Sequence, residues 1–249
     1  MPPDRRLTFA CVALLALLAV QPAMAQEISI DLGGESGSLT ARLAQLFVLI
    51  TLLSLAPGLA IMVTCFPFMV TVLSILRQAI GVQQAPPNMM IVSLALFLTY
   101  FVMEPVVREA WEAGIGPLLA GDVAEMEGVR AAFVPFRDFM AMRVDPDTLA
   151  VMLEAAPQRM AEVETSGETP VAVLIPAFLL SEIQRGFEVG FLIFLPFLII
   201  DLVIASVLMS MGMMMVPPAV VSLPFKLAFF VIADGWTLLA GALVRGYGS

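Results

Sequence analysis

The chain contains no histidine, which removes Ser-His and Cys-His nucleophile pairs, His-ligated zinc and the His-Glu-x-x-His pattern at a stroke. The ionisable chemistry left in its apolar carboxy-terminal half rests on a few residues. Between Val189 and Phe225 the one charge is Asp201, set in FLPFLIIDLVIASVLM. Lys226 opens the next apolar stretch, and Asp234 follows eight residues later, on the same face of a continuous helix. A carboxylate among so many apolar residues is costly, so it points to a functional or an interhelical role. A satisfied polar contact holding helices together is the better reading. The enzymatic alternative is an aspartyl pair of Asp201 and Asp234, but no surrounding motif supports it. No catalytic residue, metal ligand set or cofactor site is expected. Just upstream, Glu182, Arg185 and Glu188 stand three apart and can pair along one helix face. Of the two cysteines, Cys11 lies in a segment expected to be removed, which leaves Cys65 single, in the role of a small apolar residue.

A second concentration is not ionisable. ASVLMSMGMMMVPPAV carries Met209, Met211, Met213, Met214 and Met215, five of the chain's 17 methionines, immediately before Pro217-Pro218. Scattered methionines fill gaps in apolar packing. A cluster at a turn is harder to read as filler. Gly212 lets the backbone turn there, and the two prolines stop the following helix from absorbing the loop.

These residues need long apolar elements to hold them. Hydrophobic residues make up 60% of the 249, charged residues only 13%, and the mean hydropathy is +0.98, which places the chain among membrane proteins. The net charge of −9 is uneven. Residues 108–170 alone hold five Arg against twelve Asp and Glu, the opposite of a nucleic-acid footprint, so no nucleic acid is expected as a partner. At the start, Arg5-Arg6, an apolar run from Leu7 to Val20 and Ala23-Met24-Ala25 read as a secretory signal peptide over 1–25, too short for a span. Residues 26–42 form a polar leader. An uncharged run from Leu43 to Leu76 follows, expected to break at Pro57-Gly58 and Pro67. The connector RQAIGVQQAPPN leads to a second run, Met89 to Met103, whose end is marked by Glu104 and Pro105.

The first hydrophobic pair thus covers 43–107, and an acidic segment with helical patterning covers 108–169. In it, Met126, Val129, Phe133, Phe136 and Met140 recur at helical spacing and predict a stripe covered by this chain or by a neighbouring copy; Pro135 is expected to bend that helix. Asp145-Pro146 predicts one helix start, and Thr169-Pro170 another. From an external N-terminus, hydropathy gives four crossings, roughly 43–65, 89–107, 187–209 and 219–243. The acidic segment and the C-terminus then lie outside, with Arg77 and Lys226 on the inner side. The same runs equally suit short hairpins buried in a larger assembly.

Residues 175–236, IPAFLLSEIQRGFEVGFLIFLPFLIIDLVIASVLMSMGMMMVPPAVVSLPFKLAFFVIADGW, closely resemble the FliP family of flagellar type III export-gate proteins. LRQAIG, APPN and LALFLTYFVMEPV resemble the family's other blocks, in the same order. One departure stands out: where the family commonly has Thr-Arg, this chain has Pro67-Phe68. The resemblance implies an all-α membrane protein of bent helical hairpins, in which 170–249 is the core with the methionine-rich loop. It implies a homopentamer, assembled with FliQ, FliR and other export-apparatus proteins into a helical gate that passes unfolded flagellar proteins. It implies the bacterial inner membrane and flagellar basal body, with much of the protein at or above the periplasmic face. The methionine loop would close the pore. The equivalent subunit of a virulence injectisome is the alternative, disfavoured by the signal peptide. A small-solute transporter is a more distant one, because Pro196 and Asp201 hint at a broken helix but no internal repeat is evident.

Overall fold

The computed structural model describes residues 39–82, 86–157 and 169–247, all of them helix or connection. The signal peptide and most of the leader fall outside the described residues. The chain divides into two units, residues 1–50 and 51–249. Of the first unit only the opening half of α1 is described.

Helix α1 runs Leu39–Met62 with Pro57 inside it. The expected break at Pro57-Gly58 therefore does not occur. Proline removes one backbone bond but does not end a long apolar helix whose remaining bonds hold. The break comes six residues later. Thr64 Oγ1 donates to the Ile61 carbonyl at 3.2 Å and accepts from the Phe66 amide at 3.4 Å, diverting the backbone bonds that would continue the helix. Pro67 then sits in the first turn of α2, Phe66–Ile80, where its missing amide costs nothing. Gly81, with φ 79°, closes α2 through its amide to the Arg77 carbonyl.

Helix α3, Asn88–Ala110, also carries a proline, Pro105, without ending there. It continues through a π-helical turn, Trp111–Ile115, into α4, Gly116–Ala120, so one element runs well past the expected end of the second apolar run. Helix α5 spans Glu125–Arg143 and α6 spans Pro146–Ala155. The cap of α6 is as expected: Asp145 Oδ1 accepts from the Thr148 amide at 2.8 Å and from its hydroxyl at 2.9 Å. Those two bonds hold the Asp145 carboxyl below the usual carboxylate range.

Helix α7 is the spine, forty residues from Val171 to Ser210, about 60 Å long and about twice the thickness of a hydrocarbon core. Its cap is Pro170, one residue later than the Thr169 cap expected. Pro176 and Pro196 lie inside it, so the hint of a broken helix at Pro196 is overturned. Helix α8, Pro218–Ile232, and α9, Gly235–Arg245, meet at a 60° bend within the stretch that hydropathy gave as one crossing, roughly 219–243. Asp234 sits at the bend in the left-handed region, φ 50°.

Among the described residues three helices are long and apolar enough to cross a membrane, and the bent α8–α9 pair makes up to four. The core lies where α2 packs on α7 and α3. Met69, Val72, Leu73 and Leu76 meet Leu174 and Phe178 there, all essentially buried. Two glycines one turn apart on α7 allow the close approach: a Cβ on Gly186 would stand 3.0 Å from Thr71, and one on Gly190 would overlap Ile75.

The apolar stripe of α5 is covered only in its second half. Met140 is fully buried and Phe133 and Phe136 pack against the core, but Met126 and Val129 are 66% and 58% exposed. The start of α5 is packed through a different face, where a Cβ on Gly128 would stand 2.9 Å from Leu118. Glycine carries no hydropathy signal, so the periodic apolar residues did not report this contact.

Candidate gate loop and the ion pairs behind it

Helices α7 and α8 are consecutive and in contact, joined by residues 211–217. Gly212 takes φ 75°, which an L-residue rarely adopts, and its amide bonds the Met209 carbonyl at 3.0 Å while the Met213 amide bonds Leu208 at 3.0 Å. Pro217 caps α8 and Pro218 occupies its first turn, so the loop cannot be drawn into the helix. Within the chain the five methionines pack little. Met209 and Met211 are 60% and 66% exposed, Met214 85% and Met215 98%; Met213, at 37%, is the most covered.

Asp201 lies about 14 Å of helix before the end of α7, and Lys226 about 12 Å after the start of α8. The hairpin therefore brings them level. Lys226 Nζ donates to Asp201 Oδ2 at 2.6 Å, and Ser222 Oγ, one turn before Lys226, donates to Asp201 Oδ1 at 2.6 Å. Lys226 also donates to the Ala79 carbonyl at 3.0 Å, which ties in the last turn of α2. Lys226 is 6% exposed and Ser222 wholly buried. Sequence alone set Lys226 on a face with Asp234; Lys226 pairs with Asp201, and Asp234 accepts from Thr237 Oγ1 at 3.1 Å. Asp201 and Asp234 are not brought together as a pair.

A second polar centre sits deeper. Glu182 is completely buried, with Oε1 3.6 Å from Arg185 Nη1 and 3.8 Å from Arg143 Nε. Tyr247 donates its hydroxyl to Glu182 Oε2. The Arg143 guanidinium lies 4.1 Å from the Tyr247 ring centroid and donates to the Gly246 carbonyl at 3.0 Å. Burial, then the adjacent Glu182 carboxylate, pushes the Tyr247 phenol up, so it stays a donor. Glu188 bonds Gln184 Nε2 at 3.2 Å rather than joining this group. Phe68 is buried edge-on against Tyr247 with centroids 5.4 Å apart.

Ser222, Arg143, Tyr247 and the Ala79 carbonyl were not anticipated. Ser222 had a signal, since it stands four residues before Lys226 on one helix face. Tyr247 had none. Among the described residues no group of three or more Cys, Asp or Glu is placed to hold a metal ion.

Long apolar helices, interhelical ion pairs and an exposed apolar loop define a helical membrane protein. A family model described as the FliP family matches residues 49–243, and the chain belongs to that family. It is 51% identical over 243 residues to the flagellar biosynthetic protein FliP of Caulobacter vibrioides, covering 96% of this chain and 90% of that one. It is 46% identical to the FliP of Agrobacterium fabrum, over 95% of this chain and 98% of that one. With the FliP of Bacillus subtilis it shares 42% over 82% of this chain and 91% of that one. Membership places it in the inner membrane, among the components of the flagellar export apparatus.

Proposed function

We propose that this chain is a pore-forming core subunit of the flagellar type III export gate, conducting unfolded flagellar proteins, with Met209, Met211, Met213, Met214 and Met215 as the seal. The observation that carries the reading is the exposure of these methionines at the tip of a stiff hairpin. Filler side chains occupy gaps; Met214 and Met215 have no gap in their own chain to fill. Five flexible thioethers left uncovered call for neighbours around an axis. A ring of such loops would deform around varied side chains and still exclude water, because Met combines three rotatable bonds with a polarizable sulfur. The resemblance supplies the rest of the reading: a homopentamer, joined by FliQ and FliR. The relatives matched carry flagellar names, which favours the flagellar over the injectisome apparatus.

Replacing Met213, Met214 and Met215 together with Ala tests the seal. Assembly should be unchanged, and cells carrying the variant should become leaky to small ions. A variant complex that assembles, exports and stays ion-tight overturns the assignment.

A further inference from the structure

Helix α9 is fastened at its two ends and loosely held between them. At its start, Asp234 takes φ 50° and ψ 46°, a left-handed conformation that strains a residue carrying a Cβ. Gly235 completes the bend, because a Cβ there would overlap the Phe230 ring. At the far end, the Gly246 carbonyl accepts from Arg143 at 3.0 Å, while Tyr247 donates to Glu182 and packs edge-on against Phe68. Between these points, every residue from Gly235 to Gly246 lines one of three open cavities, of about 690, 430 and 290 Å³. Among the described residues no side chain from Trp236 to Arg245 hydrogen-bonds another helix, and in α9 only Leu239 and Leu243 are buried. We propose that α8 and α9 form a two-position joint, bent while the Tyr247 latch is closed and drawn into one continuous helix when it opens.

The strain at Asp234 supplies the drive. It is relieved when φ returns to the right-handed region, and the helix then runs unbroken from Pro218 to Arg245, about 42 Å, longer than a hydrocarbon core. The bonds that resist this lie where the lever is longest. Straightening the 60° bend carries the Tyr247 end through about 18 Å, so the latch contacts are made in one position and wholly lost in the other. The Asp-Gly pair keeps the bent position within reach, since Asp tolerates the left-handed region better than most residues and Gly leaves room for Phe230. Helix α8 is held in place through Ser222 and Lys226, so the movement falls on α9. The joint belongs to the single chain and holds whether or not the methionine loop is a seal. A neighbouring subunit that fills the cavities beside α9 would fix it in one position.

The test uses the full chain in lipid nanodiscs, with Cys11→Ser and with spin labels on Leu202→Cys in α7 and Arg245→Cys in α9. Both labelled positions are exposed, whereas Cys65 is buried. Double electron–electron resonance then reads the distance between the labels. One distance should dominate, with a second, distinct one below about a tenth of the population. Tyr247→Ala should raise the second at least about fivefold, and Tyr247→Phe, which keeps the ring and loses the Glu182 bond, should raise it less. With the latch intact, Asp234→Ala should also raise it, because Ala favours the helix and resists the left-handed region. Asp234→Gly added to Tyr247→Ala should return the population to the bent distance. A single unchanged distance in both Tyr247→Ala and Asp234→Ala, a second distance that Asp234→Gly does not reduce, or a broad spread in place of two distances would each overturn the joint. Tyr247→Phe serves in the same comparisons where Tyr247→Ala fails to fold, and Asp234→Ala leaves the latch residues untouched.

Discussion

Replacing Lys226 with Met keeps the length of the side chain and removes its charge. The loss has two parts. Lys226 gives up a 2.6 Å bond to the Asp201 carboxylate and a 3.0 Å bond to the Ala79 carbonyl. Asp201 is left with Ser222 as its partner in an apolar setting. Breaking a buried ion pair by removing one partner costs about 3–5 kcal/mol, chiefly from the stranded charge. Here the Asp201 side chain keeps 33% of its surface exposed, so water can recover part of that, and about 3 kcal/mol is expected. The companion variant Asp201→Leu strands Lys226, which at 7% exposure has less recourse to water and should cost at least as much. The double variant removes both charges and should be less destabilised than either single one. Detergent-solubilised protein would be scored by its thermal midpoint and by hydrogen exchange at residues 79–81, since the Ala79 bond is lost in every variant lacking Lys226. Additive costs in the double variant would refute the coupling and leave Asp201 as a group kept for some other purpose.

Three further outcomes follow from the packing. Gly190→Val should destabilise by about 1–3 kcal/mol because its side chain overlaps Ile75, and Ile75→Ala should recover part of that loss in a melting series. Phe133→Asp should lower the yield of folded protein, whereas Met126→Lys should leave it unchanged in size-exclusion profiles of the single chain, since only Phe133 is packed on the core. The Asp145 carboxyl is held below its ordinary range by Thr148, so its contribution to α6 is present at neutral pH and lost as pH falls through the lowered value; hydrogen exchange at Thr148 and Leu149 should speed up there, and Asp145→Asn should abolish the pH dependence.

Much of this architecture is written locally. The length of apolar runs reports which helices can cross a membrane, and the Asp145-Pro146 start needs only its own turn to form. Asp201 announced the need for a donor, because a lone carboxylate in an apolar helix has no local remedy. Which donor it finds depends on where the hairpin turns and where α8 ends. A continuous helix puts Lys226 on a face with Asp234 but about 12 Å from it; the turn at Gly212 brings it level with Asp201. Prolines misled for a related reason. Pro57, Pro105 and Pro196 all lie within helices, where long apolar segments tolerate one lost bond. Least legible is the Glu182 centre, whose partners Arg143 and Tyr247 are remote in sequence and meet only once α5, α7 and the chain end have packed.

If the methionine loop is the seal proposed above, the placement of the ion pair accounts for how a soft seal is held firmly. Methionine side chains are useful at a pore because they move, but a moving backbone would let the seal open without a substrate. The Asp201–Lys226–Ser222 bonds clamp α7 to α8 about 12–14 Å behind the loop, and the Ala79 bond fixes the clamp to α2. Behind that point the hairpin is tied to the core through Gly186 and Gly190; ahead of it only the two helix ends and residues 211–217 are free to adjust. Flexibility is thereby confined to thioether torsions and to the short turn at Gly212. On this reasoning Gly212→Ala, which forces an L-residue to φ 75°, should disturb loop position while leaving the clamp intact. Ion leakage with unchanged hydrogen exchange at residues 79–81 is the expected signature. Loss of protection at both places together would mean that loop and clamp form one cooperative unit, and that the division of labour between them is wrong.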